Sequence, residues 1–291
     1  AMPLSKLSCQ LWGKMECWQT SGSFKFRGAL NSLLQLTPQL RAQGVITASA
    51  GNHALAVCYA SRQVSTSVTV LMPANVNCNR VALCERLGAR VILEDDIERI
   101  FTALTVQSRE QNRTIVHPFD GIAVSEATAT VGCEVVDELG SIDAVVVAVG
   151  GGGLISGVSC AIKSLLPRCH VYGVEPVGAP TLFNSIQACR PESLDRIDTI
   201  ARSLSAPSAE PYSFSLCQRY VDTWVLVDDD AIKRAMRSLF NEMALAVEPA
   251  AASGLAAIQG PLKQELKGKK VALIVCGSNM SYDELKSYFE E

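Results

Sequence analysis

The sequence predicts an α/β fold built on parallel sheets. Short apolar runs typical of buried strands alternate along the chain with longer segments of helical period. The 291 residues exceed the roughly 100 to 200 residues of a typical domain, so one large or two moderate domains are expected. With 48% hydrophobic and 19% charged residues, the composition is that of a globular protein and excludes disorder as the main state.

Each element is predicted from its local pattern. Continuous apolar runs, as in strands buried on both faces, predict strands at 45–48, 68–72, 90–93, 144–149, 171–174, 223–227 and 271–276. Helical periodicity predicts helices at 51–62, 79–87, 97–110, 125–139, 230–246 and 249–259. Asp228, Asp229 and Asp230 are expected to cap a helix, because carboxylates stabilise the free amides at a helix start. The weakly patterned stretch 176–211 is interpreted as a surface excursion.

Charge and residue usage argue against several partners. The chain has 26 Lys plus Arg, 29 Asp plus Glu and a net charge of −3, so no nucleic-acid surface is expected. The uncharged run 144–162 contains five glycines, which argues against a membrane span. An apolar leader is not found at the start of the sequence, and a cytoplasmic protein is predicted. Eleven cysteines without a C-x-x-C pair and three scattered histidines predict reduced thiols and no metal site of His or Cys.

Two segments carry candidate chemistry. Lys25 lies in "SFKFR" before a helical stretch, where a lysine on its own is usually a solvated surface charge. The four glycines Gly150–Gly153 separate a predicted strand from a helix, and their amides can bind a phosphate at the helix start. Positive φ or close packing would require only one or two glycines, so phosphate binding is favoured. A dinucleotide fingerprint near the start of the chain and a P-loop motif are both missing.

Taken in order, "TSGSFKFRGALN", "ASAGNHALA" and "AVGGGGLISG" resemble segments of the fold-type II pyridoxal-phosphate enzymes. Within that fold type, the chain resembles the threonine/serine dehydratase and serine racemase family, also at "HPFD", "GVEP", "EPAAASG" and "VCGSN". The resemblance implies two three-layer α/β/α domains with mostly parallel sheets. It also implies a large cofactor-binding domain of residues 1–35 and 123–291, a small substrate-clamping domain of residues 36–122 with the cofactor between them, and a homodimer.

The resemblance also implies residue roles. Lys25 would form the Schiff base with pyridoxal 5'-phosphate, Phe24 would pack on its ring, and Asn52 would bind its 3-hydroxyl group. Cys276 would face the pyridine nitrogen, although an ordinary buried cysteine would have the same sequence pattern. The phosphate would be held by Gly150, Gly151, Gly152 and Gly153, and the substrate carboxylate by Ser49, Ala50, Gly51, Asn52 and His53. The Ser49–His53 segment could also simply cap a helix.

The implied activity is L-threonine or L-serine dehydration, an ammonia-lyase reaction giving a 2-oxo acid and ammonia. A neutral thiol at Cys276 makes the ring a weaker electron sink, which favours β-elimination. Ala50 stands where family racemases have a serine, so racemisation of serine or another amino acid is disfavoured. The resemblance is also compatible with a hydroxyaspartate dehydratase and with an inactive paralogue that binds the cofactor.

Further departures from the family pattern bear on metal, substrate and regulation. The family's divalent-cation ligands correspond to Glu175, Ala179 and Thr181, so one carboxylate is missing and a cation site is weakened, with Glu175 and Ala179 as its remaining ligands. Residues 126–132, "EATATVG", replace a G-Q-G-T motif where the substrate would be selected, which leaves the hydroxy amino acid open. The abbreviated opening is expected to alter stability or activity, and a C-terminal regulatory domain that binds isoleucine is not expected.

Overall fold

The computed structural model describes residues 1–5, 7–95 and 99–290 and confirms the α/β prediction. The strands are β1 (Gln10–Met15), β2 (Val45–Ala48), β3 (Val68–Pro73), β4 (Arg90–Glu94), β5 (Thr114–Ile115), β6 (Ala144–Ala148), β7 (His170–Pro176), β8 (Thr223–Val227) and β9 (Lys270–Val275). The helices are α1 (Lys25–Leu34), α2 (Pro38–Gln43), α3 (Asn52–Gln63), α4 (Cys78–Arg86), α5 (Ile100–Glu110), α6 (Ile122–Leu139), α7 (Ile155–Leu165), α8 (Thr181–Ala188), α9 (Pro211–Tyr220), α10 (Asp229–Met243), α11 (Pro249–Gln259) and α12 (Tyr282–Ser287). The first two residues of the predicted helix 97–110 lie outside the described residues. Within the described ranges, no helix is both long and apolar enough to cross a membrane.

The chain divides into two compact units. The first comprises Ala1–Trp18 and Phe119–Glu291, and the second comprises Gln19–Pro118. The division expected from the sequence, 1–35 and 123–291 against 36–122, assigns residues 19–35 and 119–122 differently, and the larger of these differences is that α1 belongs to the second unit. Ala29 and Leu33 of α1 are buried in one core with Leu55 of α3, and this packing holds α1 there.

In the first unit, the strands found among the described residues form a parallel sheet in the order β1-β9-β6-β7-β8. Helices cover both of its faces. A Cβ on Gly254 of α11 would lie 3.4 Å from Cγ1 of Val146 on one face. Val147 pairs with Gly173 and faces the opposite way, and Cδ1 of Ile155 in α7 would lie 3.1 Å from a Cβ on Gly173. This burial on both faces explains the continuous apolar run of β6.

The second unit repeats this three-layer arrangement around a smaller parallel sheet of order β4-β3-β2-β5. Val45 and Val70 pack into the core formed with α1, α3 and α4. Ile46 and Leu71 belong to a second core with Leu104 of α5. Strands β2 and β3 therefore bury both faces, as their apolar sequences predict.

The interpretation of residues 176–211 as a surface excursion is right for residues 187–198, which are exposed or half-buried, and wrong for the parts on either side. This stretch includes α8 and a 3-10 helix at Arg202–Leu204, and Leu182, Ala201 and Leu204 are buried. The stretch looks weakly patterned because it is held by long-range contacts. The hydroxyl of Ser203, for example, donates a hydrogen bond to the carboxylate of Glu248 at 2.6 Å.

The predicted acidic cap is confirmed for one of its three residues. Asp228 accepts a hydrogen bond from the amide of Ala231 at 2.6 Å and is the N-cap of α10. Asp229 instead binds the amide of Ile200 and the hydroxyl of Thr199, so it ties the preceding loop to this helix. Asp230 lies in the first turn, where its charge favours the helix dipole.

Candidate active site

The four-glycine loop joins the end of β6 to the start of α7 in the first unit. Gly151, Gly152 and Gly153 are buried. Among the described residues, the backbone amides of Gly150–Gly153 find no hydrogen-bond acceptor. Successive buried donors at a helix start form a site for an anion such as phosphate, because the helix dipole adds to their attraction.

Packing or backbone conformation requires all four glycines, whereas the sequence predicted that one or two would suffice for this purpose. A Cβ on Gly151 would lie 2.3 Å from the ring of Phe119, and one on Gly153 would lie 2.5 Å from the Phe119 carbonyl oxygen. A Cβ on Gly150 would lie 2.9 Å from the backbone of Leu204, and Gly152 has φ +87°. The number of glycines therefore does not by itself indicate phosphate; the unpaired amides carry that inference.

Residues outside the predicted site hold this loop in place. The hydroxyl of Thr128 donates to the Gly153 carbonyl at 2.8 Å, and the hydroxyl of Ser213 donates to the Gly151 carbonyl at 3.1 Å. Asp120 accepts a hydrogen bond from the Ser213 amide at 2.8 Å. Phe119 and Asp120 belong to the "HPFD" motif, so the sequence contained a signal for these two residues. Thr128 lies in "EATATVG", which the sequence linked to substrate selection and not to this loop, and Ser213 had no signal.

Lys25 begins α1 in the second unit, as the sequence predicts. Its Nζ donates a hydrogen bond to the backbone carbonyl of Pro118 at 2.5 Å and lies 5.0 Å from the centre of the Phe24 ring. The side chain is half-buried, so the amine is accessible yet directed. A held amine beside an aromatic face is suited to reaction with a carbonyl carbon.

The Ser49–His53 segment connects β2 to α3, also in the second unit. The Ser49 hydroxyl accepts a hydrogen bond from the Gly51 amide at 3.2 Å, and Asn52 is buried at the first position of α3. The contact between Ser49 and Gly51 is a local turn, and the capping role considered for the segment is not observed, because Gly51 is the N-cap of α3 and no side chain of the described residues caps the helix. A helix start is also a site for a carboxylate.

His53 does not fit a side-chain role in binding a carboxylate. Its Nε2 lies 3.1 Å from the carbonyl oxygen of Val116, and because a carbonyl only accepts, Nε2 carries the proton. Burial, and next the positive charge of Lys25, lower the pKa of His53 to about 3. The ring is therefore neutral near pH 7, and its Nδ1 has no proton to donate.

Cys276 is buried directly after β9 in the first unit, at the end of a central strand. In the same loop, the hydroxyl of Ser278 donates to the Cys17 carbonyl, and the Gly277 carbonyl accepts from the Glu248 amide. These contacts fix the position of the thiol at the sheet edge where parallel α/β folds place their ligands.

Glu175 is buried at the end of β7, and its two oxygens accept hydrogen bonds from the amides of Leu182 and Phe183 at 2.9 and 2.6 Å. Burial raises the pKa of its carboxyl to about 8, although these amides act in the opposite direction. Thr181 donates its hydroxyl proton to the Ala206 carbonyl. The part of the chain that the structure describes contains no group of three His, Cys, Asp or Glu side chains able to hold a metal.

The residues present fit pyridoxal phosphate. The first unit supplies unpaired buried amides for a phosphate, and the second supplies a directed lysine amine and a helix start for a carboxylate. These are the groups that a phosphate-bearing aldehyde and an amino acid would need.

Comparisons with known proteins agree with this chemistry. A family model described as pyridoxal-phosphate dependent enzyme matches residues 2–277. Phenylserine dehydratase of Ralstonia pickettii is 45% identical over 91% of this chain and 82% of its own. L-threonine ammonia-lyase of Thermotoga maritima is 37% identical over 93% of this chain and 67% of its own. The processed form of threonine deaminase isoform 2 from Solanum lycopersicum superposes with a TM-score of 0.92 at 31% identity, covering 96% of this chain and 82% of that one.

Proposed function

The chain belongs to the family of pyridoxal-phosphate-dependent enzymes, and from that premise we propose that it is an ammonia-lyase that eliminates water from a β-hydroxy amino acid and, after hydrolysis, releases ammonia and a 2-oxo acid. The fold is that of fold-type II members of this family, and the cofactor is pyridoxal 5'-phosphate. When bound, the cofactor supplies an aldehyde carbon for the substrate amine and a ring that stabilises negative charge at Cα. The observation that carries the proposal is the held amine of Lys25.

Lys25 has two roles in this proposal, as the residue that attaches the cofactor and as the base that takes the α-proton. The carbonyl of Pro118 supports both, because it gives the released amine a fixed hydrogen-bond acceptor. An amine held in this way is oriented before the proton transfer, which lowers the entropic cost of the step. Phe24 would pack on the cofactor ring, and its contact with Nζ is in keeping with that position.

The start of α3 would hold the substrate carboxylate. Ser49 and the amides of the Ala50–His53 segment supply donors there, and the helix dipole favours a negative charge. His53 would contribute its backbone amide at the start of the helix and not its side chain, since its ring donates its proton to the carbonyl of Val116. Asn52 remains our proposed partner of the cofactor's 3-hydroxyl group, and Gly150–Gly153 of its phosphate.

The proposed outcome is elimination, not racemisation. Loss of the α-proton to Lys25 and of the β-hydroxyl as water leaves an unsaturated amine, which a second water hydrolyses to a 2-oxo acid and ammonia. Reprotonation of Cα from the opposite side would need an acid, and Ala50 has none. The thiol of Cys276 is a weak donor, so it favours a short-lived charge on the ring and rapid loss of the β-group.

Threonine and serine are the substrates that we propose from the sequence. A second candidate is phenylserine, which is favoured by the 45% identity to phenylserine dehydratase over 91% of the chain. All three amino acids have the same reacting atoms, a β-hydroxyl and an α-proton, and differ only in the β-substituent. The "EATATVG" segment, which forms part of α6, is where the sequence departs from the dehydratase pattern.

The test is a substrate panel of L-threonine, L-serine, phenylserine and L-threo-3-hydroxyaspartate, with 2-oxo acid and ammonia measured together. The purified protein is also reduced with borohydride, and the peptide that carries the cofactor is identified by mass spectrometry. We expect equimolar 2-oxo acid and ammonia from at least one substrate and an adduct at Lys25. Lys25→Ala should lose both signals, and Lys267→Ala, which replaces an exposed lysine, should keep both.

A racemase or an inactive protein would give different results in this panel. A racemase would release the other enantiomer of serine with little ammonia. An inactive cofactor-binding paralogue would give the Lys25 adduct and no 2-oxo acid from any member of the panel. An adduct at another lysine would contradict the assignment of Lys25.

A further inference from the structure

Ser23 has a buried hydroxyl without a partner. Among the described residues, the buried side-chain atoms that lack a hydrogen bond are Trp12 Nε1, Ser23 Oγ, Arg41 Nε and Ser61 Oγ. The Ser23 side chain is fully buried, with 0% of its surface exposed. Buried polar atoms in proteins are nearly always paired, and an unpaired one indicates a missing water or ligand.

Other buried serines in the chain show how such a hydroxyl is usually satisfied. Ser159, Ser185 and Ser253 each donate to a backbone carbonyl three or four residues earlier in their helices. The Ser23 carbonyl is paired, because it accepts from the Phe26 amide and from the Ser21 hydroxyl. The Ser23 hydroxyl has no partner among the described residues.

The position of Ser23 distinguishes it from the other unpaired atoms. It precedes Lys25 by two residues, in the turn that opens α1. Ser61 lies near the end of α3, and Arg41 lies in α2, so neither adjoins a proposed reacting group in the sequence. Ser23 is therefore the unpaired hydroxyl that lies near the proposed attachment residue in the sequence.

We propose that Ser23 is a cofactor-binding residue whose hydroxyl donates a hydrogen bond to an anionic oxygen of pyridoxal phosphate. This inference rests on the proposed role of Lys25 as the attachment residue. It predicts that the hydroxyl of Ser23 does not stabilise the apoprotein and that it increases the affinity for the cofactor. A serine with only a structural role would stabilise the apoprotein and leave the affinity for the cofactor unchanged.

The experiment compares Ser23→Ala with Ser61→Ala, a matched control that removes another buried, unpaired hydroxyl from the same unit. Cofactor is removed, the Tm of each apoprotein is measured, and pyridoxal phosphate is titrated back while protein fluorescence is followed. We expect both apoproteins to keep or slightly raise Tm. Ser23→Ala should raise the Kd for pyridoxal phosphate about tenfold, as expected for one hydrogen bond to a charged group. Ser61→Ala should leave the Kd unchanged.

An unchanged Kd for Ser23→Ala, or an equal rise in both variants, would overturn the proposal. If Ser23→Ala does not fold, Ser23→Cys keeps the volume with a weaker donor and should also raise the Kd. If the parent protein shows no borohydride-stable adduct at Lys25, the proposed function fails together with this inference. An adduct at Lys25 with an unchanged Kd rejects Ser23 alone.

The acceptor oxygen can be identified in the same samples. If it belongs to the phosphate, the ³¹P resonance of bound cofactor should move between parent and Ser23→Ala. If it is the ring oxygen, that resonance should stay and the visible absorbance of the bound cofactor should change. Either result supports the proposal.

Discussion

The ring of His53 donates a hydrogen bond from Nε2 to the carbonyl oxygen of Val116, 3.1 Å away. Thr47 donates to the same oxygen at 3.0 Å, and two residues later Pro118 accepts from Lys25. The backbone of residues 116–118 thus connects the first turn of α3 to the proposed reacting amine. Its geometry depends on His53 being neutral, because a charged ring would be buried beside Lys25.

The first prediction concerns the pH dependence of stability. The pKa of His53 is lowered from 6.5 to about 3 in the folded protein, so the unfolded chain binds a proton below pH 6.5 that the folded chain does not. Stability is therefore fully present above pH 6.5 and falls as the pH drops from there towards 3. Between pH 6.5 and 5, this one group should cost about 2 kcal/mol.

His53→Gln tests this, because the Gln amide can still donate to Val116 and does not titrate. Urea unfolding at pH 7.5 should show similar free energies for parent and variant. At pH 5 the parent should have lost about 2 kcal/mol more than the variant. If the unfolding free energies of the two proteins fall equally between pH 7.5 and pH 5, His53 takes up a proton in the folded state.

The second prediction concerns the contact between Gly151 and Phe119. Gly151→Ala places a methyl group where the Phe119 ring lies, so we expect a loss of about 1–3 kcal/mol in the unfolding free energy of the apoprotein. Phe119→Leu should provide space and reduce the cost of the added methyl group. A double-mutant cycle by urea unfolding measures this coupling. Strictly additive losses would show that the two residues do not compete for the same space.

The third prediction concerns divalent cations. Both Glu175 oxygens are occupied by helix amides, and Thr181 stands where an acidic ligand would be needed. We therefore expect EDTA treatment, and later addition of Mg²⁺ or Ca²⁺, to leave Tm and kcat/KM unchanged. A cation that binds the native state must raise Tm by mass action. A Tm that rises with Mg²⁺ concentration would contradict this reading of Glu175.

The sequence predicted those parts of the fold that depend on local pattern. The bounds of β2, β8 and α11 agree with the predicted 45–48, 223–227 and 249–259, because the strands are dense in β-branched residues and Pro249 is suited to the first turn of a helix. The short β5 was missed, since two residues have no periodicity. Strand β1 was missed because its polar residues interrupt the apolar run, and its pairing with β9 joins segments that are far apart in sequence.

The candidate site was predictable where a motif carried it and not where tertiary contacts did. Lys25 at the start of α1 and the glycine loop between β6 and α7 follow from the sequence. The occupation of the His53 ring by Val116 does not, because the two residues are 63 positions apart. The same holds for the packing of Phe119 on Gly151, and for the unpaired state of Ser23, which is defined only once its surroundings are known.

The last prediction concerns Ala50, which stands half-buried between Ser49 and the start of α3. Racemisation needs a proton donor on the face of Cα opposite to Lys25, and the methyl group of Ala50 cannot supply one. Ala50→Ser should therefore add release of D-serine from L-serine, measured by chiral chromatography, with ammonia release measured in parallel. In D₂O, the D-serine should carry deuterium at Cα. Unchanged product chirality in Ala50→Ser would show that this position does not face Cα.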